Sequence, residues 1–154
     1  KRLGRFNDKL RVTRMTDFDE ILGMVEENAP HVAVIDSVQS LSVVSPTSGN
    51  ELEIGSAMSV TTAMRALHAW AETNPTAFIV IGHVTGDGSI AGPNSGLIHS
   101  VDTVLYFDGE TQGVERELRV EGKNRHGAVT SLTRVKMIMK EKGLTVDRRD
   151  KLAS

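Results

Sequence analysis

Three places in this chain combine residue types that could work on a charged ligand. The first is Asp36-Ser37, a carboxylate and a small hydroxyl that directly follow the apolar run Val32 to Ile35. Burying an ionised carboxylate without a partner is costly, so an acid where a buried strand leaves its sheet either holds a cation or caps the next turn. The second is Gly82-His83, which follows the apolar run Ala77 to Ile81. An imidazole there can donate to a phosphate oxygen or satisfy a loop carbonyl. The third is Lys123-Asn124-Arg125-His126-Gly127, two long cations beside a turn glycine. Such a pair suits phosphate binding, and equally suits a solvated turn. No carboxylate pair, catalytic serine arrangement or metal-ligand cluster is visible in the sequence.

The elements that must position these residues follow from periodicity. Val32 to Ile35, rich in β-branched residues and preceded by Pro30, predicts a strand buried on both faces, as in a parallel sheet flanked by helices. Leu10 to Met15 alternates apolar with basic or polar residues and predicts a short strand with one buried face. A helix between them is expected from Phe18, Ile21, Leu22 and Val25 at helical spacing, with Thr16 as N-cap and Asn28 and Pro30 as the stop. Strand, helix and strand in that order favour a right-handed parallel crossover. A long Ser/Thr/Gly/Asn-rich loop then runs from Ser37 to about Gly55, of a length that is usually functional or mobile. A second helix is expected from about Gly55 to Glu72, with Val60, Ala63, Met64, Leu67 and Ala71 on one stripe, widened by Met58 and Trp70.

Ala77 to Ile81 predicts a second fully apolar strand. If it neighbours the first, Asp36 and His83 share the rim at the carboxyl ends, where ligands of open α/β sheets bind. Val84 to Pro93 is a loop by its glycines and proline, and Val101 to Phe107 predicts a third buried strand. From Val114 the chain alternates apolar with charged residues, with turns at His126-Gly127 and Lys142-Gly143, which predicts antiparallel strands at one edge. The class expected is therefore α/β, in one domain covering residues 1–154.

Composition narrows the function classes. The formal net charge of -2 supplies no global basic field, so any nucleic-acid contact must come from a local patch. The absence of cysteine excludes disulfides and thiolate metal sites within the chain and is compatible with a cytoplasmic protein. No apolar run approaches the ~20 residues that span a bilayer, so no membrane partner is expected. The chain begins with Lys1, which suggests an internal piece of something longer.

Four apolar residues followed by an acid match the Walker B element of nucleotide hydrolases, whose Asp holds Mg²⁺, commonly through water. The glycines after His83 are not a phosphate cradle of the GxxxxGK[ST] type, because no Lys-Ser or Lys-Thr follows them. Taken together, VAVIDSVQS, then GHVTGDGSIAGP with SVDTVLYFDG, then KNRHG resemble, in that order and at the expected separations, the bacterial RadA/Sms DNA-repair ATPases, a branch of the RecA-fold recombinases. The similarity runs over nearly the whole chain. Its motifs are individually weak and jointly specific.

The resemblance implies a RecA-like core that binds ATP and Mg²⁺, hydrolyses ATP, binds single-stranded DNA and assembles as a homo-oligomeric, hexameric ring. Asp36 becomes the Mg²⁺-associated acid, Ser37 its small neighbour at the nucleotide, and His83 the γ-phosphate sensor. Thr85, Gly86, Asp87, Gly88 and Ser89 fall in the DNA-facing loop, and Lys123 with Arg125 become cations acting on nucleotide between protomers. The chain departs from the family pattern at Gly86, where the family has Lys, at His126, where it has Phe, and in NSGLIHSVD after Pro93. The resemblance also puts the Walker A loop, a Glu-bearing strand and a zinc module before Lys1, and a protease-like domain after Ser154. The span is then a partial ATPase domain, inactive by itself. Two other readings stand beside it, a non-catalytic RecA-like module serving assembly or DNA binding, and a replicative-helicase-like core.

Overall fold

A computed structural model describes residues 9–83, 98–109, 113–127, 134–140 and 143–146. Two compact units divide the chain, one of Thr13–Val101 and one of Lys1–Val12 with Asp102–Ser154.

In the first unit, helix α1 (Phe18–Asn28) is followed by strand β1 (Val32–Asp36), a single 3-10 turn at Val38–Ser40, helix α2 (Ala57–Thr73) and strand β2 (Ala77–Ile81). The N-cap of α1 is Asp17, not Thr16: the Asp17 carboxylate accepts from the Glu20 N–H at 2.9 Å. Thr16 is engaged elsewhere, since its carbonyl accepts from the Ser42 N–H at 2.8 Å and Asp17 bridges Ser42. A carboxylate one residue later also meets the positive end of the helix dipole. The helix stops at Ala29, whose left-handed backbone lets its N–H return to the Val25 carbonyl at 2.8 Å. Ser56 caps α2 by accepting from the Ser59 N–H.

Strands β1 and β2 pair in parallel, with Val32 opposite Ala77 and Asp36 opposite Ile81. Phe18, Ile21 and Val25 of α1, Ile35 of β1, Val38, Leu41 and Val43 of the loop, and Val60, Ala63, Met64 and Leu67 of α2 make one buried core. Ala33, Phe78 and Val80 pack against it, and Trp70 meets Phe78 edge-on with ring centroids 5.4 Å apart. Both helices thus cover the same face of the strand pair. The expectation of strands buried on both faces fails for this reason: Val34 is 60% and Ile79 53% exposed on the opposite face.

The second unit holds β3 (Thr103–Asp108), β4 (Glu115–Asn124), β5 (Arg134–Lys140) and β6 (Gly143–Val146), hydrogen-bonded in that order as an antiparallel meander. Alternation sorts its faces. Leu105 and Phe107 stand beside Val120 and Leu118, and Leu118 stands beside Val135. The other face carries ion pairs from Arg119 to Asp108 at 2.7 Å and from Arg134 to Glu117 at 3.4 Å, with Arg119 over the Tyr106 ring. β3, expected as a buried strand, is instead half-exposed in this ladder. Leu10 to Met15 forms no strand: Leu10, Val12 and Met15 are exposed, and the alternation joins no ladder. The α/β class, with parallel strands before antiparallel ones, is as expected.

Candidate functional site

The parallel ladder brings the first two motifs together. Asp36 ends β1 opposite Ile81, which ends β2, and Gly82-His83 follows directly, so both side chains leave neighbouring strands at the carboxyl rim. Asp36 and His83 are exposed. Asp36 is therefore a solvated acid, and what favours a cation there is its position at the strand end. The Asp36–Ser37 peptide is cis. Ser37 itself is buried, its hydroxyl 3.0 Å from that of Ser40, so it braces the turn after the acid.

Gln39, which sequence reasoning passed over, lies at the same rim. Both polar atoms of its side-chain amide are buried and without a hydrogen-bond partner. A Cβ placed on Gly82 would stand 3.6 Å from Gln39 Nε2, so the amide lies against the backbone just before His83. Buried amides nearly always find partners, and leaving one unpaired costs roughly 1–3 kcal/mol, which marks this point for water or a polar ligand. The sequence signal was thin: a Gln three residues beyond the acid, and a glycine opposite it.

The third motif lies in the other unit, at the end of β4. Lys123 is half-buried and Arg125 exposed. Arg125 Nη1 donates to Asp102 Oδ1 at 2.9 Å, and the Arg125 N–H donates to the Asp102 carbonyl at 2.9 Å. Asn124 Oδ1 accepts from the Thr103 hydroxyl at 3.1 Å and lies 3.4 Å from the His126 N–H. Gly127 makes this possible, because a Cβ there would come within 2.8 Å of Asn124 Nδ2. The tip is a fastened turn and not a loose one. Thr85, Gly86, Asp87, Gly88 and Ser89 lie outside the described residues. Among the described residues no group of three His, Asp or Glu side chains could hold a metal.

No family model matches the chain. It is similar to the DNA repair protein RadA of Pseudomonas aeruginosa, 39% identical over 86% of this chain and 28% of that protein. RadA of Bacillus subtilis is 39% identical over 94% of the chain and 30% of its own length. RadA of Escherichia coli is 37% identical over 85% and 27%. The chain thus spans less than a third of the length of these relatives. Among solved structures it resembles the KaiC-like protein PH0186 of Pyrococcus horikoshii, with a TM-score of 0.55 over 84% of this chain and 55% of that one, at 13% identity, a likeness of RecA-type fold. The similarity to several RadA proteins extends through the Asp36, His83 and Lys123–Arg125 motifs, and on it the chain matches a part of the RadA proteins.

Proposed function

We propose that this chain is the carboxyl-side part of a single RecA-like ATPase domain in a DNA-repair protein, which hydrolyses ATP while bound to single-stranded DNA. The observation that carries the reading is the adjacency of Asp36 and His83 at the ends of paired parallel strands in a sequence that matches a part of the RadA proteins. The residues fit a magnesium nucleotide: an exposed carboxylate, an imidazole one strand away and an unpartnered amide against Gly82. Bound MgATP supplies the transferable phosphoryl group and a cation that offsets its charge. Asp36 would hold that cation, His83 would donate to a phosphate oxygen, and Ser37, through Ser40, braces the turn that follows Asp36. Lys123 and Arg125 would neutralise charge at a neighbouring protomer's nucleotide in a hexameric ring.

Thr85 to Ser89, which follow the phosphate-sensing His83 in sequence, bind the DNA strand, so that occupancy of the nucleotide site and grip on DNA are linked. Branch migration is the coupled work this arrangement suits. The span by itself has no GxxxxGK[ST] loop and does not turn over ATP, because phosphoryl transfer depends on that cradle for positioning. No described helix is long and apolar enough to cross a membrane, and the proposed setting is the cytoplasm.

The test is Asp36→Asn in the full-length protein, measured as magnesium-dependent ATP turnover beside a thermal melt. The expected outcome is loss of turnover with the melt unchanged, because Asp36 is exposed and its removal leaves no hole. Near wild-type hydrolysis would reduce Asp36 to a turn residue and remove the reading.

A further inference from the structure

Arg125 is held in a way that an exposed arginine seldom is. Its main-chain N–H donates to the Asp102 carbonyl at 2.9 Å, and its Nη1 donates to the carboxylate of the same residue at 2.9 Å. Next to it, the Thr103 hydroxyl donates to Asn124 at 3.1 Å. Residues 102 and 103, where the chain enters β3, thus fasten residues 124 and 125, where it leaves β4. The Arg125 side chain is 47% exposed and that of Asp102 56%, and a pair so solvated adds little to stability. Its effect is on freedom. An unfastened arginine loses considerable rotamer entropy when a ligand fixes it, whereas one already tethered at both its backbone and its guanidinium loses less. The described contacts engage only Nη1 of the guanidinium, which leaves donors of the planar fork for a second anion.

We propose that Asp102 is a positioning residue for Arg125, holding the guanidinium so that its remaining donors take a phosphate oxygen. This rests on the reading of Arg125 as a phosphate-binding cation. The phosphate can be that of a nucleotide held by a neighbouring protomer or that of a DNA strand, and the two sources separate in the test.

The experiment uses the full-length protein as wild type, Asp102→Ala, Asp102→Glu, Arg125→Ala and Asp102→Ala/Arg125→Ala. Each is measured for kcat and KM for ATP at saturating DNA, for affinity to a single-stranded oligonucleotide, and for thermal melting. Misplacing a group that acts in the transition state costs up to about 100-fold, so Asp102→Ala should lower kcat by roughly 10- to 100-fold with KM nearly unchanged. Asp102→Glu should recover part of that loss. The double variant should be no worse than Arg125→Ala, because Asp102 acts through Arg125. The melting temperature should not move. If the loss falls on oligonucleotide affinity and kcat is kept, in both single variants and non-additively, the positioning role holds and the phosphate is the strand's.

Other outcomes overturn it. Wild-type values for Asp102→Ala beside a defective Arg125→Ala would remove Asp102 and leave the proposed function standing. Wild-type values for Arg125→Ala would remove both this inference and the role given to Arg125. A lowered melting temperature with additive losses would make Asp102 a structural residue, and a raised kcat would make the pair a restraint.

Discussion

The two units are built on different terms. In Thr13–Val101, two helices cover one face of a parallel pair, and every fully buried side chain among the described residues belongs to this unit, from Phe18 to Thr76. In Asp102–Ser154, none of the described side chains is fully buried, and order comes from the antiparallel ladder with its cross-strand pairs. The candidate site residues divide along the same line. Asp36 and His83 stand on a rim backed by a packed core, where the strand ends are fixed by burial below them. Lys123 and Arg125 stand on a turn fixed by hydrogen bonds and one ion pair at its own level. A carboxylate on a packed platform suits a site assembled within one protomer, and cations on a separately braced turn suit delivery to another.

The largest expected effect addresses that division. Under the proposed function, Asp36→Asn and Arg125→Ala each abolish turnover in the full-length protein, but they damage opposite sides of an interface between protomers. Mixed assemblies contain some interfaces with both sides intact. Turnover should therefore reappear on mixing, since an arginine supplied in trans contributes a factor of ~10³ or more. If subunits are shown to exchange and turnover stays at zero at every ratio, the two units serve the same nucleotide and the division of labour is wrong.

How much of this was legible in the sequence also differs between the units. Ala77–Ile81 and the start of β1 were readable almost to the residue, because apolar runs bounded by Pro30 and by polar residues have few other uses. The antiparallel strands were readable from alternation, whereas the turn expected at Lys142-Gly143 falls partly outside the described residues, Gly143 itself opening β6. What local pattern could not convey was the number of covered faces. Val32 and Val34 have the composition of a doubly buried strand and are exposed, since burial depends on which elements arrive from elsewhere. Leu10 to Met15 has the alternation of a strand and lacks the ladder. The rim itself, Asp36 with His83, was legible because both follow directly on recognisable strands. Gln39 and Asp102 were not, because what distinguishes them is a partner, or the lack of one, found only across the fold.

A second experiment sharpens the contrast in packing. Leu67 is 2% exposed within the α2 core, whereas Leu105 is 55% exposed on β3. Leu67→Ala should destabilise the first unit by ~2–5 kcal/mol, the range for truncating a buried leucine. Leu105→Ala should stay within ~0.5 kcal/mol, as surface substitutions do. Chemical denaturation followed by circular dichroism reads both. Equal losses would mean that the face bearing Leu105 is covered in solution, and that the second unit has a core after all.

The smallest effect concerns how the first unit starts its leading helix. Asp17 Oδ1 accepts the Glu20 N–H at 2.9 Å, satisfying one of the donors that a helix N-terminus leaves open. Thr16 contributes its main-chain carbonyl, which accepts from Ser42 and survives any side-chain change. Asp17→Ala should therefore cost ~1 kcal/mol, typical of a lost cap, while Thr16→Ala should lie within ~0.5 kcal/mol of wild type. Asp17→Asn separates the two contributions of the native acid, because the amide oxygen still accepts the hydrogen bond while the charge facing the helix dipole is gone. A value near wild type for Asn would assign the cap to the hydrogen bond. A loss as large as that of Ala would assign it to charge, since side-chain charge at a helix start is worth only ~0.3–1 kcal/mol and is screened by salt. Repeating the measurement at high ionic strength decides between them: a hydrogen-bonded cap keeps the gap between Asp17 and Asp17→Ala, and a charge-based one narrows it.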